Sequence, residues 1–220
     1  TASVGSELSA FAGQIAAQQA AWEVKASERV ENQWHVVTPD AMKSTGGSTL
    51  TLLDDSSVLA GGANPGNDDY ELSFKSTASE TTAIRLEAIT HDSLPHKGAG
   101  RAFNSNFVLS EFEVTFVPPG DSAIQTKVKL ASVTADYEQK GFEIAQSIDS
   151  NLGTGWAVDG PTRKENSTAV YILDKPLRMP EGSTLQIALR HHFGSTHTIG
   201  RFRISITNDP NFAIPQDVSS

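Results

Sequence analysis

Two hydrophobic periods divide the chain. In the first thirty residues apolar side chains recur at helical spacing: Leu8, Phe11, Ile15 and Trp22 stand three, four and seven residues apart in Ala- and Gln-rich sequence, with Ser6 where an N-cap would sit. This predicts one amphipathic helix over 7–22, inside a linker segment spanning 1–33. From Trp34 onward the period is two. Segments 34–38, 48–53, 56–60, 69–75, 82–89, 107–117, 125–133, 142–147, 168–174, 184–190 and 201–207 are short, rich in β-branched and aromatic residues, and parted by Gly, Pro, Asn and Asp. Alternation puts every second side chain on one face of a strand. The pattern therefore predicts an all-β fold over 34–208, two packed antiparallel sheets forming a jelly-roll or related β-sandwich, with a polar, Pro-containing tail at 209–220. The turn VPPGDS at 117–122 is read as a surface crossover inside one sandwich. Each half alone has too few strands to bury a sheet face.

Composition narrows the partners. Of 220 residues, 38% are hydrophobic and 20% charged, which fits a folded, loop-rich globule. Lys+Arg 17 against Asp+Glu 26 leaves −9, with no basic run to offset it, so nucleic acid and anionic membrane surfaces are excluded as partners. No stretch approaches the roughly 20 apolar residues of a membrane span. With no cysteine there is neither a disulfide framework nor a thiolate site, a state compatible with any compartment. The chain begins at Thr1 without a signal core and reads as a piece of something longer.

Enzyme motifs are missing: G-x-S-x-G, H-E-x-x-H, the P-loop and G-x-G-x-x-G do not occur. His191, His192 and His197 cluster, but neighbours on a strand face opposite ways, so at most one of the first two can join His197 on a metal. Glu111 and Glu113 share one strand face, a spacing common on solvated strands. Two loops are richer. In SIDSNLGTGWAVD (147–159), Asp149, Asn151 and Thr154 bring three hard oxygen donors into six residues ahead of Trp156, a set that either binds calcium or closes a turn on its own backbone. In DSLPHKGAGRAFNSNF (92–107), Arg101, Asn104 and Asn106 offer donors and acceptors suited to sugar hydroxyls, or else hold the loop by bonding carbonyls. Asn166-Ser167-Thr168 is a glycosylation sequon or simply a polar strand start.

Those two loops carry a resemblance. TAIRLEAITHDSLPHKGAGRAFNSNFVLSEFEV (82–114), with ADYEQKGFEIAQSIDSNLGTGWAVDG (135–160) and HTIGRFRISIT (197–207), closely resembles a module of large planctomycete multidomain proteins that also carry a c-type cytochrome region. The likeness covers about 34–207. The same stretches are similar to discoidin-type, galactose-binding-like sandwiches, in which an early Asp/Asn-rich loop binds calcium beside a late strand whose Glu completes the site. Here the late half, ending near Phe116, precedes the early half, starting near Lys127, as a circular permutation would produce. The resemblance implies a structural calcium held by Asp149, Asn151, Thr154 and Glu111, with Ser150 standing where Gly is usual. It further implies glycan binding by neighbouring loops, for which the candidates are His96, Arg101, Asn104, Trp156, Asp159 and Arg163, Trp156 being either platform or core.

The expectation is a non-catalytic, calcium-stabilised carbohydrate-binding sandwich that ties a larger extracytoplasmic protein to polysaccharide. The alternatives are a sandwich that packs on other domains of its own chain and a polysaccharide hydrolase or lyase.

Overall fold

The computed structural model describes residues 15, 18–19, 34–76, 79–120 and 122–209. Of the helix expected over 7–22 only Ile15, Gln18 and Gln19 lie among them, and of the tail expected over 209–220 only Asp209.

Twelve strands are described: β1 (His35–Val36), β2 (Ala41–Ser44), β3 (Ser48–Leu52), β4 (Val58–Gly62), β5 (Asp68–Lys75), β6 (Ser79–Ala88), β7 (Glu111–Val117), β8 (Thr126–Lys127), β9 (Leu130–Ala135), β10 (Ser167–Met179), β11 (Thr184–His191) and β12 (Arg201–Thr207). Sheet A runs β3-β4-β12-β6-β10-β9, with β1 added on β12, and sheet B runs β2-β5-β11-β7-β8. All strand pairs are antiparallel. Strands from before and after 117–122 interleave in both sheets, since β10 pairs with β6 and β11 lies between β5 and β7.

Alternation decides what each strand buries. Along β5, Asp68, Tyr70, Leu72 and Phe74 point inward, and along β11 Leu185, Ile187, Leu189 and His191 do the same. Sheet A answers with Ile84, Leu86, Ala88, Ala169, Tyr171, Phe202 and Ile204. Two aromatic pairs bridge the layers. Phe112 of β7 stacks on Tyr171 of β10 with centroids 3.8 Å apart, and Tyr70 of β5 stacks on Phe202 of β12 at 5.8 Å. Each ring removes roughly 150–250 Å² from water, and such pairs contribute about 0.5–1.5 kcal/mol beyond their burial. A smaller cluster on the outer face of sheet A packs Trp34 over Ala83 and Val170, with the Arg85 guanidinium 5.1 Å from the indole ring.

Several elements depart from the pattern read in the chain, among them the segment expected as one strand over 125–133, which divides into β8 of sheet B and β9 of sheet A. Residues 142–147 were expected as a strand but form a 3-10 helix, Ile144–Ile148. Gly141 turns the chain at φ +85°, Glu143 takes the Gly141 N–H at 2.8 Å, and the Gln146 N–H bonds the Glu143 carbonyl, so local bonds displace sheet pairing. Strand β2 was not anticipated, because AMKS shows little alternation and is held by its pairing with β5. Strand β10 runs past its expected end at 174 to Met179, absorbing Asp174-Lys175-Pro176 in a register shift against β6.

The loops at one end are locked by close backbone approach. A Cβ at Gly160 would lie against the backbone of Ser105 and Asn106, joining the 92–107 loop to the turn after Trp156. Gly160→Ala is expected to lower stability by about 1–3 kcal/mol, as overpacking does, measured by urea denaturation. An unchanged midpoint would show that these loops yield.

Candidate functional site

Two segments far apart in sequence meet at the start of β7. Leu109 and Trp156 exchange backbone hydrogen bonds in both directions at 2.9 Å, which sets the 149–154 loop beside Glu111. The Asn151 N–H is shared between Glu111 Oε1 at 3.1 Å and Asp149 Oδ1 at 2.8 Å, while Thr154 Oγ1 donates to Asp149 Oδ2 at 2.8 Å and Asn151 Oδ1 accepts the Gly153 N–H at 3.0 Å. Ser150 takes φ +66°, the left-handed conformation for which glycine is the easier residue. All four residues named for the metal are therefore brought together. Burial raises the Glu111 carboxyl above its ordinary value and the facing Asp149 raises it further, against the backbone N–H groups of Ser150 and Asn151. The donors are hard oxygens with two carboxylates in repulsion, a chemistry that fits calcium. The loop also closes on its own N–H groups. Among the described residues no three histidine, aspartate or glutamate side chains are grouped to hold a metal.

The six loop residues named for sugar binding divide differently. Trp156 is fully buried, edge-on to Phe107, with its indole N–H donated to the Tyr137 carbonyl at 2.9 Å, so of its two readings it is core and not platform, and it leaves the sugar-binding set. Arg101, also buried, directs its guanidinium at the carbonyls of Gly61, Gly62 and Ala63 and at Ser48 Oγ, 2.6 Å away, so it fastens the end of β4 and is not free for a ligand. Arg163 lies over the Tyr137 ring at 4.7 Å and bonds Ser167 Oγ and the Asn166 carbonyl. Asn104 Oδ1 accepts the Asn106 N–H, Asp159 Oδ2 accepts the Thr162 hydroxyl, and His96 is exposed on the short 3-10 turn Pro95–Lys97. The loop set is chiefly a scaffold.

The histidines are tied up one by one. His192 Nε2 lies 2.9 Å from Asp69 Oδ1, and His197 Nδ1 lies 3.1 Å from the Gly194 carbonyl. His191 is buried between the Asp68 carbonyl at Nδ1 and the Ile199 N–H at Nε2.

Outward positions of β5, β7 and β11 build what the loops do not. Register places Arg190 between Asp69 and Glu111, and Ala188 between Glu71 and Glu113, on the face turned away from the core. Arg190 donates from Nε to Glu113 Oε2 at 2.9 Å and from Nη1 to Asp69 Oδ2 at 2.9 Å, with Glu71 Oε1 at 3.7 Å; Lys127 Nζ bonds Glu113 Oε1 at 2.9 Å. Burial alone would raise Glu113, but Lys127 and Arg190 outweigh it and hold the carboxyl below its ordinary range. Along this face runs a groove of about 450 Å³ lined by Lys43, Glu71, Ser73, Glu113, Thr115, Gln125, Gln186 and Arg190 among others. It continues past Glu113 and Arg190 into a second hollow of about 330 Å³ bounded by Asp69, Glu111, Lys127, Ser150, Leu152 and His192. The alternation of β5, β7 and β11 held this signal, but only strand register reveals that the three polar rows are adjacent.

No family model matches the chain, and neither does any curated protein. Among solved structures it is similar to the CBM32-1, CBM32-2 and M60 catalytic domains of Clostridium perfringens ZmpB, with 8% identity over 84% of this chain and a TM-score of 0.43; the chain spans 16% of that protein's length. A structure of the two CBM32 domains alone gives 10% identity, a TM-score of 0.36 and 38% of that chain. A family 29 carbohydrate binding module gives 11% identity over 80% of this chain and 84% of that one, with a TM-score of 0.31.

One titration follows from the buried imidazole. Burial pushes the His191 pKa down to about 4, against the opposing pull of Asp68 and Asp69, with His192 adding to the depression. The ring is neutral when folded and titrates near 6.5 when unfolded, so its contribution is complete above pH 6.5 and is lost as pH falls toward about 4. The loss is on the order of 3 kcal/mol. Glu111, raised on folding, works in the opposite sense. Urea midpoints between pH 7 and 4 should fall less steeply in His191→Gln than in the unaltered chain; parallel curves would refute the assignment.

Proposed function

We propose that this chain is a non-catalytic carbohydrate-binding β-sandwich, a module of a larger extracytoplasmic protein, which takes polysaccharide along the outer face of sheet B. The observation that carries this reading is the groove itself. Its floor sets donors and acceptors of the middle strands β5, β11 and β7 (Glu71, Gln186, Arg190, Glu113, Thr115) between Lys43 of the edge strand β2 and Gln125 just before β8. Sugar hydroxyls both donate and accept, so a fixed array of this kind matches them. Binding is favoured over chemistry because the ionised Glu113 is held between two cations, and because Glu111 accepts backbone N–H groups. Affinity electrophoresis of the full chain should show retardation by at least one polysaccharide. Gln186→Ala should weaken it several-fold while stability stays within about 0.5 kcal/mol, as for a surface change. Failure of every polysaccharide to retard the chain would overturn the proposal.

A calcium ion is the second part of the proposal. The carboxylates of Glu111 and Asp149, with the side-chain oxygens of Asn151 and Thr154, would hold it, and its charge would relieve their repulsion and stiffen the loop. Saturating calcium stabilises by about 2.7 kcal/mol at a hundred times Kd. Millimolar calcium should thus raise the melting midpoint of the chain by several degrees relative to chelator, and leave Asp149→Ala unmoved. Equal midpoints with and without calcium would remove the ion from the account.

The second reading, a sandwich docked on other domains of its own chain, draws on Phe103, 81% exposed, and Phe193, 44% exposed, both in loops. It is the reading left standing if no polysaccharide binds.

A further inference from the structure

The groove of sheet B brings its own countercharges. Lys43, Lys127 and Arg190 face Asp69, Glu71 and Glu113, and Glu111 adds a further acid at the far end. Arg190 meets an acid at each of its three nitrogens: Nε and Nη2 each lie 2.9 Å from Glu113 Oε2, and Nη1 lies 2.9 Å from Asp69 and 3.7 Å from Glu71. A carboxylate, by contrast, has about four acceptor positions, and those of Asp69, Glu71 and Glu113 are only partly used. We propose that the ligand of this groove is an uncharged polysaccharide, gripped through its hydroxyl hydrogens by the carboxylates of Asp69, Glu71 and Glu113, which Arg190 holds in place. The inference rests on the binding reading above and names its ligand class.

Two features count against the charged alternatives. A uronate or sulfate group reaching Arg190 meets three carboxylates already within 4 Å of it, and must displace one or lie among them. The chain as a whole carries −9 and repels a polyanion before contact. Hydroxyls suffer neither penalty, and a bond from a hydroxyl to a carboxylate is charge-assisted and roughly twice as strong as a neutral one. Among the described residues no phenylalanine, tyrosine or tryptophan lines either hollow, so the sugar is held by its hydroxyl edges rather than by a broad ring face. Glu71 is the clearest reporter: it stands at the groove with its side chain 44% exposed and is the most distant of Arg190's three partners.

The test is affinity electrophoresis of the full chain at low and at physiological salt, against galactomannan, xylan and mixed-linkage β-glucan on one side and polygalacturonate, alginate and dextran sulfate on the other. At least one neutral polymer should retard the chain with little dependence on salt, and the acidic polymers should not. Glu71→Gln should weaken the neutral complex about five- to tenfold, the loss of one charge-assisted bond, without changing the melting midpoint. Retardation by acidic polymers as strong as by neutral ones would overturn the ligand class while leaving carbohydrate binding intact. A neutral complex that Glu71→Gln does not weaken would overturn the carboxylate grip. Retardation by none of the six would remove the binding reading and this inference with it.

Discussion

The reciprocal pair of hydrogen bonds between Leu109 and Trp156 is the joint on which the arrangement turns. It links segments nearly fifty residues apart. On one side it drops the indole into the core against Phe107, and on the other it brings the Asp149–Thr154 loop over Glu111 at the head of β7. A Cβ at Gly155 would meet the Leu109 carbonyl at 2.6 Å, so the approach depends on a residue without a side chain. Because β7 lies between β11 and β8, whatever fixes Glu111 also fixes the rows that carry Glu113 and Arg190.

Charge is handled on the two sheets in different ways. On sheet A, Arg203 bonds Glu87 through both Nε and Nη2, and Arg201 reaches Asp55 at 2.7 Å; such pairs settle side-chain geometry, and partly exposed ones contribute little to stability. On sheet B one guanidinium serves three acids, so the pairing leaves acceptor capacity over. Inside, Asp68 is kept ionised although burial would raise it, because the Ser48 and Ser44 hydroxyls and the Gly46 N–H converge on its carboxylate. Arg101 grips Ser48 from the other side, which explains why a residue that looked like a ligand binder in the chain belongs to the framework.

What could be read from the sequence was what is local. Period-two alternation in DYELSFK, TLQIALR and RFRISIT located β5, β11 and β12 closely, because burying one face of a strand constrains every second residue. The meeting of Glu111 with the 149–154 loop was legible only through resemblance. The 3-10 turn at Ile144–Ile148 was misread because its apolar spacing over so few residues also suits a strand. The groove was legible only as separate polar rows, not as a site. Asp69, Glu71, Glu113 and Arg190 each look like an ordinary solvated position, and only the pairing of β11 with both β5 and β7 makes them neighbours.

The edges of the two sheets are short or interrupted. In sheet B the outer strands are β2, of four residues, and β8, of two; in sheet A the outer strands β3 and β9 have five and six, and the long β10 next to the edge is broken by the shift around Pro176. A strand that short offers few consecutive open amide and carbonyl groups to another molecule. Sheet B, closed off by strands of four and two residues, thus gives a neighbouring copy of the domain little backbone to pair with.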